Sequence, residues 1–271
     1  MSTDNELSQN KSWERPSLFY NKFVKYVVYL SILLFLIWSV WELRISFERF
    51  IAGIESSQML ITEMFPPDYG DSTRPRIWSG ILETLAMAVI ATVIGVGISI
   101  PIAFIAAGNL VPKPVYLFGR SIVMISRALH ELVLAIVIVT AVGFGPLAGI
   151  LALTIATPGF FAKLLSEDLE DIDEGQINAI RAVGASRSQV ATYGILPQVM
   201  PRIIGLTVYR MDINIRASTI VGIVGAGGIG MTLMLSFDTY QYDFTLAILL
   251  VIVAIVLLGE MFSAWIRNKV Q

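Results

Sequence analysis

Residues Thr84 to Pro112 read TLAMAVIATVIGVGISIPIAFIAAGNLVP, 29 residues without a charged side chain. A bilayer core about 30 Å thick is crossed by roughly 20 apolar helical residues, so this run is long enough to span it. Around it the chain keeps the same character. It has 271 residues, 55% hydrophobic and 15% charged, with a mean hydropathy of +0.72. Soluble domains carry nearer about 25% charge, which points to a bilayer rather than a large water-filled surface. The formal net charge is −2, and no basic excess suggests nucleic acid. There is no cysteine and a single histidine, His130, which excludes disulfides, thiolate metal sites, Cys nucleophiles and His-rich metal sites.

Working outward, six apolar spans are expected, at about 23–41, 83–107, 121–142, 147–164, 202–224 and 244–266. The third and fourth share one uncharged stretch, divided at Gly143-Phe-Gly-Pro146 because Gly and Pro punctuate helices. The first span is read as a retained helix, since no small-residue cleavage site follows it. Both termini are placed in the cytoplasm. Lys11, Arg15, Lys22, Lys25, Lys113, Arg120, Lys163, Arg181, Arg187, Arg202, Arg267 and Lys269 then face inward, against Arg44, Arg49, Arg74 and Arg76 outside. That asymmetry is the one that inserted proteins follow. The external stretch 47–65 places Phe47, Phe50, Ile51, Ile54, Ile61 and Phe65 at near-helical spacing, as an amphipathic interfacial helix or a loose loop ending at Pro66-Pro67.

The longest internal loop, 166–201, opens with six acids between Glu167 and Glu174. It continues Asn178-Ala-Ile-Arg-Ala-Val-Gly184 and, nine residues on, Gly-Ile-Leu-Pro197. This resembles the EAA loop of ABC-importer permeases. Ala179, Gly184, Leu196 and Pro197 fit that pattern, whereas Asn178 stands where Glu is usual, Ile180 replaces an Ala and Ile195 is one place late. A helix, a tight Gly turn and a second helix make a compact knob, and Gly184 can adopt φ > 0 in it. Arg181 and Arg187 flank the turn beside Ala185, where they can meet acidic groups on a partner. An ordinary helical hairpin is the alternative.

Further motifs sharpen the likeness: Phe65-Pro-Pro-Asp68, Arg127-Ala-Leu-His-Glu131, Ala141-Val-Gly-Phe-Gly-Pro-Leu-Ala-Gly149, Lys163-Leu-Leu-Ser-Glu167, Tyr193-Gly-Ile-Leu-Pro-Gln-Val-Met-Pro201 and Val221-Gly-Ile-Val-Gly-Ala-Gly-Gly-Ile-Gly230. Together they are similar to the phosphonate-transport permease family, over roughly residues 65–269. The resemblance implies an all-α membrane protein with the type I ABC importer permease fold. Residues 1–60 would hold a cytoplasmic tail, the first span and the start of the external segment, and residues 61–271 the transport core. It implies a homodimer in the cytoplasmic membrane, in contact with lipid, two ATPase subunits and an external substrate-binding protein. The cargo would be a phosphonate or related phosphorus oxyanion. No cofactor is expected on this chain, ATP and Mg²⁺ being used by the ATPase. Rival readings are a permease for phosphate, phosphite or an amino acid, or, outside this class, a membrane-embedded enzyme or a passive channel.

Gly225-Ala-Gly-Gly-Ile-Gly230 matches G-x-G-x-x-G, but the βαβ unit that a dinucleotide site requires is missing. Gly225, Gly227, Gly228 and Gly230 are read instead as a sharp turn at the external surface beside a gating helix. The sequence has no G-x-x-x-x-G-K-[ST], so ATP hydrolysis belongs to another chain. Ionisable groups inside spans are costly and mark candidate paths. Here they are Arg127, His130 and Glu131 in the third span and Arg210, Asp212 and Arg216 in the fifth. Arg127 with Glu131, and Asp212 with Arg216, are spaced i, i+4, which predicts two same-face pairs. These six residues either neutralise one another and fix packing, or edge an anion path with one excess positive charge per subunit.

Overall fold

A computed structural model describes residues 21–43 and 46–270. The tail residues Lys11 and Arg15, and Arg44, lie outside the described residues, as do the side chains of Arg187 and Arg267. The described chain is helical throughout.

The chain separates into two units, residues 1–59 and 60–271. In the first, α1 (Lys22–Glu42) starts where the Asn21 side chain accepts a hydrogen bond from Phe23 N, and none of its residues is buried. Helix α2 (Phe47–Met64) runs across the unit boundary. The spaced aromatic and aliphatic residues of 47–65 therefore form a helix rather than a loop. Phe47, Phe50, Ile51, Ile54 and Ile61 are exposed on it.

The second unit is built on α3 (Arg74–Ile105) and α6 (Pro146–Glu170). They run parallel and in constant register. Gly95 abuts Thr157, and Gly108 N donates to Glu170 Oε1 at 2.7 Å across the same separation of 62 residues. Between them come α4 (Lys113–Ala128) and α5 (Glu131–Val142). After α6 follow α7 (Glu174–Ala182), a short α8 (Arg187–Gln189) and a π-helical segment Val190–Ile195. The long α9 (Leu196–Ile223) packs antiparallel to α6, and α10 (Gly228–Asp238) and α11 (Tyr242–Val270) close the unit. Five helical stretches are long and apolar enough to cross a bilayer, and α4 with α5 gives a sixth if the bent pair counts as one.

That bend corrects the straight third span expected at 121–142. The two arms meet at 86° across Leu129 and His130. Both residues are extended, and the His130 Nδ1 caps α5 by accepting from Leu132 N at 3.2 Å. Several helices also outrun their apolar stretches: α3 begins at Arg74, α6 continues to Glu170 and α9 begins at Leu196. The loop expected over 166–201 contracts to 171–195. The acids at its start have a task that composition did not announce. Glu170 pairs with Arg120 at 3.2 Å and Asp168 with Arg202 at 2.9 Å, which holds the foot of α6 to α4 and α9, while Glu167 pairs with Lys163 within α6.

Candidate functional site

Two regions hold the residues singled out by sequence. The first is the hairpin at the foot of the bundle. Asp173 caps α7 by accepting from Gly175 N at 2.8 Å, and Ile177 is the helix's buried anchor. Asn178, Ala179, Arg181 and Gly184 are exposed, and Ala185 is half-buried. Gly184 has φ +82°, and a Cβ there would meet nothing within 4 Å. The position is thus set by backbone conformation, not by crowding. Past the turn, Ser186 and Gln189 cap reciprocally: Ser186 N donates to Gln189 Oε1 at 2.8 Å and Gln189 N to Ser186 Oγ at 3.4 Å. Leu196 is half-buried and Pro197 exposed, at the step from π-helix into α9. Gln198 locks the base, accepting from Asp173 N at 3.0 Å and donating to Gly194 O at 2.8 Å. Sequence reasoning passed over Val183, which is 85% exposed at the tip, and Tyr193, 69% exposed on the returning arm. The signal for Val183 was an apolar residue directly before a turn glycine.

The second region lies halfway up the bundle, where α5, α6 and α9 meet. Pro158 interrupts α6 there. The Ser126 hydroxyl enters the gap, donating to Ile155 O at 2.8 Å and accepting from Gly159 N at 2.9 Å, two groups that an unbroken helix would join to each other. A Cβ on Gly159 would lie 2.8 Å from Arg127 N, so only glycine permits α4 this close. The elbow is thereby fixed against the middle of α6.

This placement overturns one of the two i, i+4 pairs. Arg127 lies in the last turn of α4, which ends at Ala128, and Glu131 begins α5, so the helix that would have put them on one face breaks between them. Arg127 is exposed and makes no ion pair within the described residues. Glu131 turns instead to Arg210, 3.8 Å away on α9. Arg210 is 3% exposed, donates from Nε to Thr157 Oγ1 at 3.2 Å and stacks over the Phe160 ring at 6.0 Å. The other pair forms as expected, Arg216 donating to Asp212 at 2.6 Å. Its members differ in setting, with the Asp212 side chain 8% exposed and that of Arg216 44% exposed. A cavity of about 320 Å³ opens at this point, lined by His130, Glu131, Ile213, Arg216, Ile220 and others. Five of the six intramembrane candidates are thus gathered at the elbow and α9, and Arg127 stands apart.

The search for ionisable residues overlooked Asn214, fully buried and donating to Thr92 Oγ1 at 2.8 Å, because an amide carries no charge. It also overlooked Glu260 in α11. With Glu260 counted, the three arginines are matched in number by three acids, Glu131, Asp212 and Glu260, and the excess positive charge of the six residues disappears. Among the described residues no cluster of three His, Cys, Asp or Glu is placed to hold a metal.

The glycine turn joins α9 to α10. Gly225, Gly227 and Gly228 have φ of +92°, +83° and +72°, and all four named glycines are buried. The expected surface turn is therefore a packed one. Gly145 N donates to Gly225 O at 3.0 Å, while Gly228 N and Ile229 N donate to Glu83 and Thr84 of α3 at 3.0 and 2.8 Å. Gly230 lies against Thr219 of α9.

A family model described as the binding-protein-dependent transport system inner membrane component matches residues 99–271. The phosphate-import permease protein PhnE of Mycolicibacterium smegmatis is 42% identical over 211 residues, 78% of this chain and only 40% of that protein's length. The phosphite transport system permease protein PtxC of Stutzerimonas stutzeri is 42% identical over 219 residues, 80% of this chain and 78% of that protein. In three dimensions the chain resembles a solved inward-facing structure of the MetNI methionine ABC transporter, with a TM-score of 0.64 at 23% identity, over 74% of this chain and 99% of that one.

Proposed function

The chain belongs to the binding-protein-dependent transport system inner membrane component family, and on that premise we propose that it forms the translocation path of an ABC importer for phosphonate or a related phosphorus oxyanion. The observation carrying the cargo class is 42% identity, over most of the chain, to a permease named for phosphite. In this reading two copies assemble in the cytoplasmic membrane with both termini inside. Two ATPase subunits supply the energy from ATP and Mg²⁺. An external binding protein delivers the anion, and this chain performs no covalent chemistry.

The hairpin is the docking element. A rigid knob with Val183 at its tip and Arg181 beside it transmits ATPase movement, because Gln198 ties both ends of the knob to α9. The elbow cavity is the path. Arg216, half-exposed at its rim, offers the forked donors that suit an oxyanion, and Asp212 tempers its charge so that the anion passes rather than stays. Arg210 and Glu131 neutralise each other behind that rim. The buried glycine turn couples α10 to α3 at the outer gate.

The test is uptake by the complex reconstituted with its ATPase and binding protein, supplied with a phosphonate, phosphite, phosphate or methionine. ATP-dependent uptake of a phosphonate or phosphite with exclusion of methionine is the expected result. Transport of methionine alone overturns the cargo assignment while leaving the permease reading in place.

A further inference from the structure

Arg127, Glu131, Arg210, Asp212 and Glu260 lie at about one level of the bundle, with Arg216 one turn beyond Asp212 on α9. Ser126 and Arg127 lie against Ile155 to Gly159 of α6, near the middle of that helix. Arg210 reaches Thr157 at the same level. On α11, the Ser263 hydroxyl donates to Val208 O at 3.3 Å, and a Cβ on Gly259 would lie 3.8 Å from Asp212 Oδ1. Glu260, the next residue, is therefore level with Arg210 and Asp212.

Within this layer the charges divide by partner. Arg210 pairs with Glu131 and Arg216 with Asp212. Arg127 and Glu260 are both exposed and have neither hydrogen bond nor ion pair within the described chain. They lie on different flanks, since α4 packs on α3 and α6 while α11 packs on α9 and α10. A lone carboxylate facing lipid near the bilayer centre costs several kcal/mol, and its side chain is too short to reach the interface. An opposite charge at the same depth offsets part of that cost.

We propose that Arg127 of one copy pairs with Glu260 of a second copy, and the reverse, forming two symmetric salt bridges in the wall of the permease dimer. A two-fold interface is self-complementary, so one cation and one anion per chain satisfy each other twice. Among the described residues of this layer they are the one arginine and the one acid left over, which selects a second copy of this chain as the occupant. The charges that seemed to form one path-lining set thus separate into path, support and interface. This inference rests on the two-copy reading above.

The chain has no cysteine, so introduced thiols are unique. A direct disulfide requires Cα atoms within about 7 Å, closer than two long side chains meeting at their tips. A bifunctional methanethiosulfonate linker is therefore applied to Arg127→Cys/Glu260→Cys in membranes containing the full complex. A reducible covalent dimer is expected, at least about tenfold above either single variant. The charge variants give an independent reading. Arg127→Glu and Glu260→Arg should each reduce assembled complex and uptake by about tenfold or more, and the combined swap should restore both to within about threefold of wild type. Cross-linking of Arg127→Cys to itself would place Arg127 on the symmetry axis and overturn the pairing. So would a swap that inserts without rescue. The mass of the purified complex separates the two readings: two copies without cross-link defeat the pairing alone, and a single copy defeats the two-copy reading with it.

Discussion

The hairpin and the charge layer lie on the same chain, yet they obtain their geometry from different sources. In the hairpin the contacts that shape the turn are local, Asp173 with Gly175, Ser186 with Gln189 and Gly184 N with Arg181 O at 3.0 Å, and the Gln198 side chain then ties its base to α9. Its tip, Val183 and Gly184, is exposed. In the charge layer the decisive contacts join remote segments, Glu131 with Arg210 and Ser126 with Gly159, and Arg210 is buried. A local motif retains its meaning wherever it is placed. A buried charge takes its meaning from the neighbour the fold supplies. Mutation should therefore separate the two regions, one failing in coupling and the other in folding.

The largest effect is expected at Arg210. Arg210→Ala leaves Glu131 without its cation, and breaking a buried pair costs about 3–5 kcal/mol. Membrane yield and melting temperature in detergent should fall sharply. Arg210→Ala/Glu131→Ala should recover most of the loss, whereas Arg127→Ala/Glu131→Ala should not. Recovery by the latter double would reinstate the Arg127–Glu131 pairing and erase the contrast.

Gly184→Leu should leave yield almost unchanged and lower uptake by about tenfold or more. A left-handed conformation costs an L-residue roughly 1–2 kcal/mol, and the branched side chain would project where the partner docks. Gly184→Asn should retain more uptake than Gly184→Leu because Asn tolerates that conformation. Normal transport by the Leu variant would remove the docking role from the hairpin.

What was readable in advance follows the same division. Uncharged runs announced the spans, and the spacing from Gly184 to Pro197 announced the hairpin, because both are properties of neighbouring residues. The break at Leu129-His130 was not announced. Nothing between Ser121 and Val142 is Gly or Pro, and the bend depends on His130 capping α5 and on Ser126 entering a gap made by Pro158 in another helix. An i, i+4 rule applied across that break paired the wrong residues. Glu260 was legible as an acid inside the span expected at 244–266, but no opposite charge stands near it in sequence, and among the described residues it has no partner.

Ser126→Ala sharpens the account of the elbow. It removes the hydroxyl shared by Ile155 O and Gly159 N, and loss of a typical hydrogen bond costs about 0.5–1.5 kcal/mol. A modest fall in melting temperature is expected, together with faster proteolysis or hydrogen exchange in α4 and α5 but not in the hairpin. An equal loosening of the hairpin would mean that the two regions are not independently held.

The smallest effect is expected where the two regions adjoin. Arg202 and Asp168 meet at 2.9 Å, a closer approach than Arg210 and Glu131 at 3.8 Å, yet their side chains are 50% and 29% exposed. Distance alone ranks the outer pair as the stronger. Solvent reverses that order, because water already solvates both charges when the pair opens, and exposed pairs contribute only about 0–1 kcal/mol. Arg202→Ala should therefore change the melting temperature little, and the difference from wild type should shrink further at about 1 M salt, where screening acts within about 3 Å. The Arg210→Ala deficit should persist in the same salt, since Arg210 is buried behind the rim of the cavity. If both deficits vanish in salt, the middle layer is wet and its charges are solvated like those at the foot. If neither vanishes, the foot of α6 is as dry as the centre, and the acids between Glu167 and Glu174 belong to the core rather than to the docking surface.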